Sequence, residues 1–312
     1  VTPAGVAGVE VTVEGRSLKL SNLDKVLYPA VGFTKGQVID YYTRVAPALL
    51  PHLRQRALTL KRYPNGVDSQ FFYEKNCPKH RPSWVGTVGM WSGRNQADVN
   101  YCLIDDLPSL VWVANLASLE LHTSLACAAD VERPTAAVFD LDPGPPATVV
   151  ECAGVALRLR DVLDGMGLAA VPKTSGSKGL QVYVPLNTPV TYDATKSFAH
   201  ALARLLESRH PDLVVSQMSK DLRGGKVFID WSQNDRHKTT VCVYSLRARP
   251  RPTASTPVGW DEVEGVAGSG DPDDLAFEAG EVLRRVERHG DLFAPVAELR
   301  QRLPEPAAVP AG

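Results

Sequence analysis

Two aspartates one residue apart interrupt an otherwise apolar run, Ala137-Val138-Phe139-Asp140-Leu141-Asp142-Pro143-Gly144. Successive side chains of a strand point to opposite faces, so a strand here places Asp140 and Asp142 on one face and Ala137, Phe139 and Leu141 on the core face. Pro143 and Gly144 stop the strand, which leaves both carboxylates at its carboxyl end beside a loop. Two acids this close cannot both stay ionised in a partly buried cleft without a counter-charge, and a divalent cation supplies one. A third acid, Asp230, ends another apolar run, Val227-Phe228-Ile229-Asp230-Trp231. Three carboxylates on neighbouring strands suit two Mg²⁺ or Mn²⁺ ions about 4 Å apart, the arrangement that stabilises attacking and leaving oxygens in phosphoryl transfer. An Asp-x-Asp pair is also a common turn and cap device, so its company must decide.

That company is basic and spread along the chain. Thr34 opens a helix, with Gln37 completing a capping box and Val38, Tyr41, Tyr42, Val45 and Leu49 as the apolar stripe. Lys35 then falls in the first turn, where a cation opposes the helix dipole; a phosphate held between Lys25 and Lys35 would explain it, and two solvated surface lysines are the alternative. Leu58–Gly66 reads as a strand delivering Lys61 and Arg62 to a turn, followed by Phe71-Phe72-Tyr73-Glu74-Lys75. Cations beside aromatic rings suit nucleic acid, each stacked base being worth about 1–3 kcal/mol. Paired phenylalanines are usually core, so one of the three rings is expected to be exposed. Met90–Asn100 reads as a hairpin loop. Leu107–His122 reads as one helix or two, with Leu110, Val113, Leu116 and Leu119 inward, then a strand carrying Glu120 and His122. His122 is either a satisfied core histidine or a cleft residue.

Downstream of the paired acids, Pro145 and Pro146 suit a first helical turn and Val150–Met166 has helical periodicity. Residues 169–172 and 180–186 read as strands around the loop Lys173-Thr174-Ser175-Gly176-Ser177-Lys178-Gly179. Small residues let backbone amides approach a ligand, and the hydroxyls with Lys178 would complete an anion cradle; a plain hairpin loop is the alternative, and the loop is not a Walker A motif. A helix over 193–208 and a strand over 213–217 follow. Lys220, Arg223 and Lys226, then Arg236, His237, Lys238, Arg247, Arg249 and Arg251, bracket Asp230. One surface would thus meet metal, triphosphate and a polyanion. Beyond Arg251 the composition turns to Pro, Gly, Asp and Glu, with one helix over 275–289 and a disordered tail from Leu303.

The whole chain carries no such signal. Its 312 residues are 44% hydrophobic and 22% charged with a formal net charge of −1, so any nucleic-acid partner must be held by local patches. No apolar run reaches the roughly 20 residues of a membrane span, and the start of the chain lacks the features of a signal peptide. A cytoplasmic, nucleoid-associated location with no membrane partner is expected. Five cysteines, an odd number, argue against a disulfide framework, and the regular spacing of Cys77, Cys102, Cys127 and Cys152 reads as coincidence. Cys77-Pro78-Lys79-His80 has metal-like spacing without a second pair, which speaks against zinc.

Taken together, Phe139–Gly144, Thr174–Gly179 and Lys226–Asn234 resemble the bacterial end-joining primase-polymerases, the polymerase module of ligase D within the archaeo-eukaryotic primase superfamily. The likeness extends through Asp24–Pro29, Lys61–Gly66 and Tyr244–Arg247, over about residues 17–250. It implies an α+β fold of two β-sheets with flanking helices around a central catalytic cleft, the catalytic half being RRM-like. It implies template-directed addition of nucleotides, ribonucleotides preferred, at gaps and broken DNA ends. By position, Asp140, Asp142 and Asp230 would be the catalytic metal ligands, for two Mn²⁺ or Mg²⁺ ions. Arg62, Lys75, His122, Ser175, Lys178, Gln181, Gln233 and Arg247 would handle the incoming NTP or dNTP. Asn22, Lys25, Lys35, Phe72, Tyr73, Arg223 and Lys226 would meet DNA, with Lys25 and Lys35 capturing a downstream 5′-phosphate and Phe72 or Tyr73 stacking on the template base. Gln181 departs from the family, which often has His there; Gln can donate to a phosphate but carries no charge.

The expected organisation is an extension over 1–16, a catalytic domain over 17–250, a helical segment over 251–302 packed on it, and a tail over 303–312. No Lys-x-Asp-Gly ligase motif is present, and the segment past Arg251 favours a stand-alone polymerase, working with a separate DNA ligase and an end-binding protein. The rival functions are a primase making short primers, a 5′-phosphate DNA-end-binding module, and a phosphohydrolase of the haloacid-dehalogenase type, whose motif needs Thr or Val where Gly144 stands.

Overall fold

In the computed structural model, which describes residues 8–93 and 96–304, the apolar runs become strands of two large sheets, numbered here in chain order. The first sheet contains β1 (Leu58–Arg62), β2 (Phe72–Glu74), β3 (Thr87–Ser92), β4 (Ala97–Cys102), β5 (Ser118–Thr123) and, returning late in the chain, β11 (Thr240–Val241). Its order is β11-β5-β1-β4-β3, with β2 paired to β1 and all ladders antiparallel. The second sheet contains β6 (Ala136–Pro143), β7 (Val171–Thr174), β8 (Leu180–Pro185), β9 (Val214–Val215) and β10 (Val227–Asp230) in the order β7-β8-β6-β10-β9. Only β9 beside β10 is parallel within it.

Helices α1 (Lys35–Leu53) and α2 (Leu107–Asn115) serve the first sheet, α3 (Val149–Gly165) and α4 (Tyr192–Arg209) the second. The second half thus runs β6-α3-β7-β8-α4-β10, a βαββαβ unit, which is the RRM-like arrangement expected. Its handedness of burial follows from β6. Ala137, Phe139 and Leu141 are fully buried; the Phe139 ring meets Phe198 of α4 at 6.3 Å, and the Cys152 thiol of α3 donates to the Leu141 carbonyl at 3.4 Å. Both helices therefore cover one face of the sheet, and the other face is left for Asp140 and Asp142.

Local chemistry sets the helix starts. Thr34 and Gln37 form the expected capping box on α1. The phenols of Tyr41 and Tyr42 donate to the carbonyls of Tyr244 and Leu119, both at 2.7 Å, so burying these rings leaves no orphaned hydroxyl. Helix α3 starts later than expected: Thr148 caps it with Glu151 completing the box, and Pro145 and Pro146, joined by a cis peptide, belong to the preceding turn.

Other expectations need correction. Residues Val9–Val13 and Arg16–Leu20 pair as a hairpin through the positive-φ residues Glu14 and Gly15, where a loosely held strand or tail and a short separate strand at Leu18–Leu20 were expected. Within 90–100, residues 90–92 and 97–100 are strand, because Val88, Met90, Val99 and Tyr101 alternate inward. Among the described residues past Arg251 there are three α-helices, α5 (Trp260–Ser269), α6 (Ala279–His289) and α7 (Ala294–Glu298), the first packed on α3 and the second on α1. Cys77 and Cys102 are joined in a disulfide, since the Cys77 amide pairs with the Asn100 carbonyl beside β4 and brings the Cα atoms within 4.9 Å. An odd count excluded a framework, not a single bridge, and Cys77 is not free to ligate zinc. The readings for residues 1–7 and for the tail beyond 304 lie outside the described residues. Among the described residues no helix is long and apolar enough to cross a membrane.

Candidate active site

Register brings the three acids together. β6 and β10 are antiparallel neighbours with Asp140 directly opposite Asp230, and Asp142 is two residues along the same face. Burial first, then the neighbouring Asp142 carboxylate and Asp230, push Asp140 up to about 7; burial and Asp230 also raise Asp142. Asp230 caps the short turn that follows it: Oδ1 accepts from the Ser232 amide at 3.0 Å and from its hydroxyl, and Oδ2 accepts from Gln233 Nε2 at 2.9 Å. The Ser232 hydroxyl in turn takes a hydrogen bond from Lys238 Nζ. Among the described residues no three His, Cys, Asp or Glu side chains already stand as a metal-ligating group. The donor set nevertheless suits hard divalent cations: three carboxylates converge, burial and mutual repulsion disfavour the charged form of Asp140 and Asp142, and the buried Gln181 Oε1 beside Asp140 has no partner.

A row of polar residues crosses the sheet from the acids. Asp140 on β6 faces Gln181 on β8, which faces Lys173 on β7. Gln181 stands opposite Asp140 and partly offsets the rise of its carboxyl. Lys173 is fully buried; its ammonium donates to Ser255 Oγ at 2.7 Å and the Val241 carbonyl at 3.1 Å, and burial lowers it to about 7 against the pull of Cys242 and Asp140.

Asp140, Asp142 and Gln181 floor a cleft of about 470 Å³ between the two sheets, lined also by Thr59, Tyr73, Lys75, His122, Ser175, Lys178, Gln233 and Arg247. The Ser175–Gly179 loop differs from the cradle expected. Its amides at Ser177, Lys178 and Gly179 converge on Ser175 Oγ (3.2, 3.3 and 3.1 Å), so they rigidify the turn instead of facing a ligand. The Ser175 carbonyl accepts from Arg247 Nη1 at 3.1 Å, tying the loop to the opposite wall. Gly179 is required here, because a Cβ would stand 2.0 Å from the Leu141 carbonyl oxygen.

The opposite wall is built around Glu120 of β5, which sequence reasoning passed over. Its carboxylate meets Lys61 Nζ (3.2 Å), the Tyr63 hydroxyl (3.3 Å), the Ala248 amide (3.2 Å) and His122 Nε2 (3.0 Å). Burial opposes its ionisation, but His122, Arg247 and Lys61 outweigh that and hold it well below the usual carboxylate range. Burial also lowers His122. The available signal was an acid inside an apolar strand, Leu119-Glu120-Leu121, two residues from a histidine.

The remaining predicted residues form a second cluster. Lys35 is 5% exposed, its ammonium donating to the Ser21 carbonyl at 2.7 Å, and burial with the charges of Lys25 and Arg62 lowers it to about 8. Lys25 Nζ donates to Asn65 Oδ1 at 2.8 Å, and Asn22, at φ 53°, turns the chain before it. Arg62 stands with this cluster and not with the cleft: strand alternation sends Lys61 to Glu120 and Arg62 to Glu74 (2.8 Å) and the Leu116 carbonyl. The same alternation separates Phe72, under the Arg62 guanidinium at 5.1 Å, from Tyr73, 6.3 Å from the His122 ring. Phe71, Phe72 and Tyr73 are all exposed, where one ring was expected, because β2 is an edge strand with few residues to cover it. Arg223 lies over the Phe228 ring at 3.7 Å and its charge partly offsets the rise of Asp142. Lys226 Nζ donates to the Pro211 carbonyl.

Known proteins share this architecture. The family model described as LigD, primase-polymerase domain, matches residues 34–293. The chain is 42% identical over 283 residues to the multifunctional non-homologous end joining protein LigD of Mycolicibacterium smegmatis, covering 89% of this chain and 36% of that protein. It is 32% identical over 248 residues to the bifunctional LigD of Bacillus subtilis, covering 79% of this chain and 39% of that one. It thus spans well under half the length of these relatives. Among solved structures, the polymerase domain from Mycobacterium tuberculosis ligase D in complex with DNA matches with a TM-score of 0.83 at 39% identity, over 91% of this chain and 99% of that one. With two sheets around an acid-floored cleft and a family match over most of its length, the chain belongs to the LigD primase-polymerase family and is a metal-dependent, template-directed nucleotidyltransferase.

Proposed function

We propose that the chain fills short gaps and broken ends in duplex DNA during end joining, preferring ribonucleotides and engaging the 5′-phosphate of the downstream strand. The observation that carries this is the register of Asp140 against Asp230, with Asp142 on the same face, where Asp140 and Asp142 line a cleft walled by cations. Asp140, Asp142 and Asp230 would hold two Mn²⁺ or Mg²⁺ ions. When bound, such ions favour ionisation of the primer 3′-hydroxyl and neutralise charge on departing pyrophosphate. Lys178, on a loop stiffened by Ser175, and Arg247 supply positive charge to the triphosphate, and Lys75 and His122 close the same side. Gln181 stands opposite Asp140, and Gln233 and Ser232 fix Asp230. Tyr73, exposed on the cleft side of β2, offers a ring to a base, and Phe72 with Arg62 offers a second surface toward the Lys25–Lys35 cluster. Lys35 is buried enough to disfavour its own charge, which a bound phosphate would offset. A separate ligase and an end-binding protein would complete the repair, in the cytoplasm at the nucleoid.

Primer extension on a gapped duplex bearing a 5′-phosphate, with Mn²⁺, is the test. Addition of nucleotides by the wild type, lost in Asp140→Ala, supports the proposal, and an inactive wild type refutes it. The phosphate cluster stands apart from the cleft, which also suits an end-binding module; that reading requires DNA binding with no extension.

A further inference from the structure

Glu120 is 2% exposed between Leu119 and Leu121, and both carboxylate oxygens are in use. Oε1 accepts from Lys61, Tyr63 and the Ala248 amide; Oε2 meets His122 Nε2 at 3.0 Å and lies 3.5 Å from Arg247 Nε, an ion pair without hydrogen-bond geometry. Two of these partners, His122 and Arg247, line the cleft that also holds Asp140 and Asp142. Burying a carboxylate is costly unless it is paired, and here it also cancels positive charge that would attract a triphosphate. A wall built for attraction alone would omit it. What the acid supplies is direction. The Arg247 guanidinium is held from two sides, by Glu120 and by the Ser175 carbonyl at 3.1 Å. A carboxylate can only accept, so His122 must present Nε2–H to it, which leaves Nδ1 as the ring's acceptor.

We propose that Glu120 is a positioning residue for the incoming nucleotide, fixing the orientation of His122 and Arg247 before the triphosphate arrives. This rests on the polymerase reading of the cleft. Positioning and plain electrostatics predict opposite signs. Removing the anion raises the net positive charge of the wall, so electrostatics alone predicts tighter nucleotide binding; loss of positioning predicts weaker binding, because the freed guanidinium and imidazole must be ordered by the ligand.

The experiment is steady-state extension of a gapped, 5′-phosphorylated duplex with Mn²⁺ and varied ATP, for wild type, Glu120→Gln and Glu120→Asp, with DNA affinity followed by fluorescence anisotropy. The expected result is a nucleotide KM raised by about tenfold or more in Glu120→Gln with kcat changed by less than about threefold and DNA affinity within twofold. Glu120→Asp keeps the charge but withdraws it by one methylene, and should raise KM by a smaller factor. A KM at or below the wild-type value in folded Glu120→Gln overturns the proposal. If Glu120→Gln does not fold, Glu120→Asp decides, and a wild-type KM there overturns it. An inactive wild type removes the polymerase reading and the proposal with it; an active wild type with unchanged variants removes the proposal alone.

Discussion

An acid trio on one sheet and a lone buried glutamate on the other stand beside the cleft, and their surroundings are opposite. Asp140 and Asp142 sit with Asp230, so burial and like charge push their protonation up, Asp140 to about 7. Glu120 sits with Lys61, His122 and Arg247 and is held well below the usual carboxylate range. The chemical group is the same on both sides. The first set lacks enough positive charge and is suited to receive cations; the second is already neutralised and is suited to stay fixed. The molecule thus separates an acid site left for a cofactor from an acid site that orders its own side chains, one on each sheet.

The largest effect that would break this contrast is on chemistry. Asp140→Ala together with Asp230→Ala should lower primer extension by on the order of 10³-fold or more, whereas retained activity would mean that the acid trio is not where chemistry happens. Next, the two faces of β6 should respond differently to truncation. Phe139→Ala, on the fully buried face against Phe198, should cost about 3–5 kcal/mol in denaturant unfolding; a cost below about 1 kcal/mol would deny that this face is core. Smaller again, Lys25→Ala and Lys35→Ala should each weaken binding to a 5′-phosphorylated end and lower the slope of log affinity against log salt by about 1. Loss of affinity that ignores the 5′-phosphate would contradict the cluster's assignment.

The subtlest effect concerns pH. In the metal-free protein the folded Asp140 keeps its proton up to about 7, well above the ordinary value of 3.8. Between those values the folded state binds more protons than the unfolded chain, so stability must fall as pH rises through this window. Lys173, lowered to about 7, ionises alike in both states below that pH and adds stability only above it, as the unfolded chain then binds the extra proton. His122, lowered by burial, works the other way near pH 6.5, so the comparison is made against Asp140→Asn: the stability of the metal-free wild type relative to that variant should fall from pH 5 to pH 7 in thermal melts. A difference that stays constant or grows over the same window would contradict the assigned cause.

How much of this was legible before the structure depended on the range of the interaction. Strand alternation alone placed Asp140 and Asp142 on one face, and the same rule, applied at Lys61 and Arg62, would have shown that these neighbours serve different sites. The Thr34 box and the βαββαβ order are likewise local patterns. That Asp140 stands directly opposite Asp230 is a matter of register across 89 intervening positions; the apolar run ending at Asp230 offered a third acid, and the family resemblance supported it, but neither contains the pairing. Glu120 was missed because an isolated acid in an apolar strand carries no motif, and its partners come from β1, β5 and the segment after Tyr244. The Ser175 loop was misread for a related reason: composition says that amides are available but not that one hydroxyl collects them. The Cys77–Cys102 bridge depended on the pairing of Cys77 with the neighbour of β4's last residues, which residue counts do not contain.

The central claim is that three aspartates remote in sequence make one cation site. It is tested most directly by titrating Mn²⁺ into the protein with a non-hydrolysable nucleotide and following free Mn²⁺ by electron paramagnetic resonance. Wild type should take up the ion and the Asp140→Ala, Asp230→Ala double variant, shown to be folded by its melt, should not; equal uptake by the two would contradict the account.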